Sequence, residues 1–133
     1  MKIGIISGSW DLCHPGHIMA FKECKDNCDY LIVALQVNPQ IERKDKNRPV
    51  ETILERYMRL DAIRYIDKII PYETEYDYYL IMLYSKPDIR FLGSDWEGKG
   101  IVGSELPMEF YYLNRNHTLS STNLRKRVKC TKS

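Results

Sequence analysis

The 133-residue sequence has no apolar run long enough to cross a membrane, and its N-terminus lacks the apolar core and cleavage site of a signal peptide. Its charges nearly balance, because 20 Lys and Arg residues stand against 18 Asp and Glu residues and leave a formal net charge of +2. So small an excess does not argue for nucleic acid as a partner. We therefore expect a cytoplasmic protein with no nucleic-acid partner and no membrane insertion.

Paired cysteine motifs are also missing. The four cysteines form no CxxC pair and have no matching histidine cluster, which excludes the usual zinc sets. We expect free thiols in a reducing compartment. Internal repeats, low-complexity tracts and domain linkers are absent as well. The chain length and the hydrophobic content of 44% fit one domain over residues 1–133.

Apolar runs of strand length alternate with segments of helical periodicity. This alternation predicts an α/β fold, a single-domain doubly wound (Rossmann-like) parallel five-stranded sheet with helices on both faces. Polar residues 38–49 and glycine-rich residues 93–107 are expected to be loops. The expected strands are 2–7, 30–35, 68–71, 88–92 and 108–113, and the expected helices are 15–27, 50–65, 76–84 and 121–129.

The segment Gly8 to His17, GSWDLCHPGH, is the most informative part of the chain. It joins the first expected strand to a helix that begins at Pro15, and the first N–H groups of a helix attract anions. His14 and His17 are three residues apart, so one face of the first helical turn can present both imidazoles to the same anion. The spacing favours phosphate chemistry, because imidazole N–H groups stabilise charge that builds up in phosphoryl or nucleotidyl transfer.

This segment resembles the (T/S)-x-D-x-x-H-x-G-H signature of the HxGH nucleotidyltransferase superfamily. The chain is most similar to cytidylyltransferases of the glycerol-3-phosphate type, over nearly its whole length. Further likeness lies in RYIDKIIP from Arg64, GSDWEGK from Gly93 and RNHTLSST from Arg115. The last segment departs from the family's RTEGIST motif at Asn116, His117 and Thr118, with a milder change at Ser121.

The resemblance implies a role for each matching residue. The implied catalytic residues are His14, His17, Lys44, Lys46 and Arg115. The implied nucleotide-binding residues are Ser9, Trp10, Asp11, His14, His17, Gly93, Asp95, Arg115, Ser120, Ser121 and Thr122. The implied acceptor-binding residues are Asp11, Lys44, Lys46, Arg56 and Arg64. Mg²⁺ is expected to arrive with the nucleoside triphosphate rather than in a protein metal site. A homodimer is also implied.

Several residues have a structural interpretation beside the functional one. The hydroxyls at Ser120 to Thr122 can cap the last helix, and capping can coexist with phosphate binding. Lys44 and Lys46 are either solvated charges or cations that a closing loop brings to the phosphates. Arg64 either assists phosphate binding or pairs with Asp61 or Asp67.

The main hypothesis is transfer of CMP from CTP to a small phosphorylated alcohol, glycerol 3-phosphate, with release of pyrophosphate. A second hypothesis is an adenylyltransferase acting on a sugar phosphate, because KNRPV from Lys46 and IVGSE from Ile101 are similar to segments of heptose-phosphate adenylyltransferases. A third is a non-catalytic nucleotide-binding domain, which the intact histidine motif disfavours. A metal-binding HxxH protein would need a third ligand that the sequence does not offer at a suitable spacing.

Overall fold

The computed structural model describes residues 1–93, 96–98, 100–114 and 126–129. The elements alternate between strand and helix as predicted. Residues 126–129 are helical and fall within the last predicted helix, whose other residues lie outside the described ranges. The elements are β1 (Ile3–Gly8), α1 (Pro15–Asp26), β2 (Tyr30–Gln36), a short 3-10 helix (Pro39–Ile41), α2 (Ile53–Asp61), β3 (Lys68–Tyr72), α3 (Glu75–Ser85), β4 (Ile89–Gly93) and β5 (Glu109–Leu113).

The five strands form one sheet in the order β3-β2-β1-β4-β5, and every neighbouring pair is parallel. The predicted doubly wound parallel sheet is therefore confirmed. The order reverses at β1, which pairs with β2 on one side and β4 on the other. In such sheets, ligands bind beyond the carboxyl ends of the strands at the point of reversal. The histidine motif follows β1 and is placed there.

Helices cover both faces of the sheet. On one face, Phe21 of α1 and Leu60 of α2 pack against strand residues such as Val33. On the other face, Tyr78 and Met82 of α3 lie in a second apolar cluster. Because successive strand residues point to opposite faces, β1 and β2 supply side chains to both clusters.

Helix α2 is shorter than the predicted 50–65. It begins after Thr52, whose side chain accepts a hydrogen bond from the Glu55 N–H in a capping box. The backbone N–H groups of Val50 and Glu51 instead bond to the carboxylate of Asp11. This contact, which links segments 39 residues apart in the chain, explains why periodicity alone overestimated the helix.

The described cysteines are free thiols, as predicted, and Cys130 lies outside the described residues. Cys24 is fully buried, and burial strongly raises the pKa of its thiol. No helix formed by the described residues is long and apolar enough to span a bilayer.

Candidate functional site

A cavity of about 870 Å³ opens at the carboxyl edge of the sheet. The end of β1, the start of α1, the loop after β2 and the end of β4 all contribute to its wall. Ser9, Trp10, Asp11, His14 and His17 of the histidine motif lie on this wall, as does Gly93 at the end of β4. The structure therefore brings together those predicted site residues that belong to the first motif and the fourth strand.

The two histidines form the N-terminal cap of α1. The Nδ1 atom of His14 accepts a hydrogen bond from the Gly16 N–H at 3.0 Å, and Nδ1 of His17 accepts one from the His14 N–H at 3.3 Å. Their rings stack with centroids 4.0 Å apart. Because Nδ1 is the acceptor in both rings, the neutral form of each carries its hydrogen on Nε2. The helix cap thus fixes which nitrogen of each imidazole can donate to a ligand.

Trp10 packs against this cap. Its side chain is buried, and its indole Nε1 donates to the Ala34 carbonyl at 3.3 Å. Its ring meets His17 edge-on at 5.5 Å and packs against Phe21 at 4.6 Å. Trp10 has a φ of 53°, a left-handed conformation that is uncommon for a bulky residue. The turn tolerates this backbone because the indole is fixed on both sides.

The carboxylate of Asp11 links the histidine loop to the segment before α2. It accepts hydrogen bonds from the Val50 N–H at 2.8 Å and the Glu51 N–H at 2.9 Å. The Glu51 carboxylate in turn accepts a hydrogen bond from the Leu12 N–H at 2.7 Å, which is a second link between the two segments. Glu51 also pairs with Nε of Arg59 at 2.5 Å. We interpret Asp11 as a residue that positions the histidine loop, although its side chain also reaches the cavity wall.

Arg56 is buried under the site and does not line the cavity. Its guanidinium donates to four backbone carbonyls: Ser9 at 2.8 Å, Gln36 at 2.6 Å, Val37 at 2.6 Å and Glu51 at 3.2 Å. Burial lowers its pKa, whereas the nearby carboxylates of Asp11 and Glu51 act in the opposite direction. These donors hold together the ends of β1 and β2, and the acceptor-binding role expected for Arg56 stays a prediction.

Arg64 does not lie on the described wall of the cavity either. It is exposed, lies just before β3, and donates to the Tyr65 hydroxyl at 3.0 Å. The amino ends of parallel strands face the edge opposite to the cavity. Arg64 therefore lies away from the cavity, and its expected contact with an acceptor phosphate stays a prediction. Within the described ranges, no ion pair joins Arg64 to Asp61 or Asp67.

The loop between β2 and α2 contributes to the cavity wall. Lys44 and Lys46 are both exposed, and of the two only Lys46 lies on the described wall. Sequence reasoning missed Arg43, which donates to the Glu75 carboxylate at 2.7 Å and lies 5.6 Å from the ring centroid of Trp96. Glu42 accepts a hydrogen bond from the Glu75 N–H at 2.5 Å. These contacts hold the loop against the first turn of α3.

Three further residues of the cavity wall were not predicted: Tyr72 at the end of β3, Tyr78 in α3 and Arg90 in β4. They come from elements that are distant in sequence, and no short motif contains them. Among the residues expected to bind the nucleotide, Asp95, Arg115, Ser120, Ser121 and Thr122 lie outside the described residues. Their roles stay predictions.

The described residues contain no group of three or more His, Cys, Asp or Glu side chains arranged for a metal ion. Two carboxylates lie on the described cavity wall. Asp11 caps backbone N–H groups, and Glu75 pairs with Arg43. The wall fits a Mg²⁺ ion carried by phosphate oxygens better than one held by protein carboxylates, because Mg²⁺ at nucleotide sites commonly keeps few protein ligands.

Comparison with known proteins gives a consistent result. A family model described as cytidylyltransferase-like matches residues 5–127. Bifunctional protein HldE of Sulfurimonas denitrificans is 31% identical over 129 residues, which are 96% of this chain and 27% of that protein. The protein of the same name from Aliarcobacter butzleri is 30% identical over 128 residues, with the same coverage. The chain thus spans about a quarter of the length of these curated relatives.

Solved structures share the fold. The lipopolysaccharide core biosynthesis protein from Thermoplasma volcanium superposes with a TM-score of 0.63 at 21% identity, covering 97% of this chain and 87% of that one. Pantothenate synthetase from Thermus thermophilus superposes with a TM-score of 0.69 at 15% identity, covering 97% of this chain and 64% of that one. At these identities the likeness concerns architecture alone.

Proposed function

Because the chain belongs to the cytidylyltransferase-like family, we propose that it transfers the adenylyl group of ATP to the phosphate of a sugar phosphate. The observation that carries this proposal is the His14–His17 cap, which places two imidazoles at a helix N-terminus on the wall of a large cavity. An intact cap of this kind also favours an enzyme over a non-catalytic nucleotide-binding domain.

The proposed reaction is an in-line displacement. An oxygen of the acceptor phosphate forms a bond to the α-phosphorus, and the bond from that phosphorus to the oxygen bridging to the β-phosphorus breaks. Pyrophosphate leaves with the electron pair. The attacking phosphate is already an anion, so no covalent enzyme intermediate is needed. Catalysis then consists of positioning and charge stabilisation by His14, His17 and Lys46. Mg²⁺ bound to the triphosphate would neutralise part of its charge.

The choice of a sugar phosphate rests on sequence similarity. The segments KNRPV and IVGSE are similar to segments of heptose-phosphate adenylyltransferases. Curated relatives with the name bifunctional protein HldE match almost the whole of this chain. The comparisons thus support the second hypothesis from the sequence better than the first.

Transfer of CMP from CTP to glycerol 3-phosphate is the second candidate. It is favoured by the family description and by the DWEGK segment after β4. The two candidates differ in the nucleotide and in the acceptor, so one experiment can separate them.

The test measures pyrophosphate release with Mg²⁺ and each of ATP, CTP, GTP and UTP, against heptose, hexose and glycerol phosphates. Thermal-shift titration with the same nucleotides gives an independent measure of binding. We expect release and stabilisation to be greatest with ATP and a sugar phosphate. Preference for CTP with glycerol 3-phosphate would replace the proposal by its second candidate, and no release with any pair would refute nucleotidyl transfer.

A homodimer is proposed as well. Exposed apolar side chains on α3 support it, since Tyr76, Leu80 and Tyr84 are 67%, 43% and 91% exposed. Light scattering after size exclusion tests this proposal. A dimer mass that Leu80→Glu reduces to a monomer mass is expected, and a monomer mass for the unaltered protein would contradict it.

A further inference from the structure

Four polar side chains meet on the side of the cavity covered by α3. They are Ser7 of β1, Tyr72 of β3, Tyr78 of α3 and Arg90 of β4, and all four line the cavity. The rings of Tyr72 and Tyr78 stack with centroids 5.3 Å apart. Both tyrosine hydroxyl groups lie beside the Ser7 side chain, and that of Tyr78 also lies beside Arg90. We call these four residues the tyrosine–arginine cluster.

Arg90 brings a buried positive charge to this cluster. The residue is 4% exposed, and its Nη1 donates to the Val102 carbonyl at 2.5 Å. Its guanidinium carbon lies 5.2 Å from the centroid of the Tyr78 ring. Within the described part of the chain, Nε has no hydrogen-bond partner and no carboxylate forms an ion pair with Arg90.

A buried guanidinium is costly unless an anion or several hydrogen bonds compensate it. The two carboxylates on the described wall have other partners, because Glu75 pairs with Arg43 and Asp11 accepts from the Val50 and Glu51 N–H groups. The cluster therefore has the properties of an anion site, because its guanidinium is a cation and a hydrogen-bond donor on the wall of a cavity.

The hydroxyl groups of the cluster complement the charge. Burial raises the pKa of Tyr72 and of Tyr78, so both phenols keep their protons and can act as donors at neutral pH. With Ser7, the cluster contains three hydroxyl groups and one guanidinium on the cavity wall. A phosphate monoester matches this arrangement better than a carboxylate does. Its larger number of acceptor oxygens can bind both the hydroxyl groups and the planar guanidinium of Arg90.

We propose that the tyrosine–arginine cluster binds the phosphate of the second substrate, with Arg90 as its cation. This assignment rests on the proposed nucleotidyl transfer. It divides the cavity between two anions. The cap of α1 holds the triphosphate and the cluster receives the acceptor phosphate, and both line the same cavity at the carboxyl edge of the sheet.

The direct test titrates inorganic phosphate into the full chain saturated with Mg²⁺ and the α,β-methylene analogue of its preferred nucleotide, with calorimetric detection. The analogue occupies the triphosphate site and prevents turnover. We expect Arg90→Gln to weaken phosphate binding at least about tenfold, since a charge-assisted and forked contact is lost. Affinity for the analogue should stay within about twofold, because that ligand contacts the other wall.

Two further variants keep the test decisive. Arg90→Lys retains the positive charge but lacks the planar guanidinium, and we expect it to weaken phosphate binding about threefold or more. This variant takes the place of Arg90→Gln if Arg90→Gln does not fold. Lys68→Gln removes one exposed cation at the amino end of β3 and serves as the matched control. Unchanged phosphate affinity in a folded Arg90 variant, or an equal loss of analogue binding, would overturn the proposal.

Kinetics separate this proposal from the proposed function. If the protein transfers nucleotides, Arg90→Gln should raise the KM of the phosphorylated acceptor at least about tenfold while the nucleotide KM changes less than about twofold. If no transfer is found, the proposed function fails, yet phosphate binding to the nucleotide-free protein that depends on Arg90 would still support the anion site. A raised nucleotide KM with an unchanged acceptor KM would contradict it.

Discussion

Arg56 and Arg90 are the two arginines buried within the described part of the chain, and their surroundings differ. Arg56 donates to four backbone carbonyls and does not reach the cavity. Arg90 donates to the Val102 carbonyl, faces an aromatic ring and lies on the cavity wall. Burial alone does not separate a structural arginine from a ligand-binding one. The number of carbonyls already bound and the access to a cavity separate them.

The largest expected effect on stability is that of Arg56→Met. The substitution leaves buried carbonyls at the ends of β1 and β2 without donors, which should lower the free energy of unfolding by about 3–5 kcal/mol. Urea denaturation followed by circular dichroism measures it. Arg64→Met is the matched control, because Arg64 is exposed and its side chain bonds, among the described residues, to the neighbouring Tyr65. A loss below about 1 kcal/mol for Arg56→Met would contradict its structural role.

The same substitution at Arg90 sharpens the comparison. Within the described residues Arg90 has no anionic partner. Replacing such a buried charge by an apolar side chain is often neutral or stabilising, so we expect Arg90→Met to change the free energy of unfolding by less than about 1.5 kcal/mol. Denaturation under the conditions used for Arg56→Met provides the value. A loss as large as that of Arg56→Met would show that both arginines are structural.

A third arginine, Arg43, forms an exposed ion pair with Glu75 at the cavity wall. Glu75→Gln removes its partner, and surface pairs contribute about 0.2–1 kcal/mol. Opening of the loop over the cavity should therefore increase at most about fivefold, which trypsin cleavage after Arg43, Lys44 or Lys46 can measure. Glu109→Gln, which breaks the exposed pair with Lys2, is the control. A fifty-fold faster cleavage would indicate that the pair holds the loop more strongly than a surface contact can.

These differences also explain what the sequence could predict. The histidine cap is local, because its contacts join residues two and three positions apart, so a short motif contains it completely. The alternation of strand-like apolar runs with segments of helical periodicity can also be read from local sequence, and the parallel sheet was predicted from it. The predicted start of α2 was wrong because Asp11, far away in sequence, binds the backbone before Thr52.

The tyrosine–arginine cluster could not be found in this way. Its residues come from β1, β3, α3 and β4, and only the strand order places them together. The hydrogen bonds of Arg56 could not be predicted for the same reason, since the sequence of α2 does not reveal which carbonyls its side chain will contact. Tertiary contacts, rather than residue type, decide whether a cationic side chain binds the chain itself or a ligand.

The most direct test of the account is the turnover of His17→Ala. Its imidazole caps α1 and faces the cavity, so its loss should reduce pyrophosphate release at saturating substrates by about 10²–10⁴-fold. The circular dichroism spectrum should stay unchanged, because loss of one cap costs only about 1 kcal/mol. Turnover within tenfold of the unaltered protein, in a folded variant, would contradict catalysis at the histidine cap.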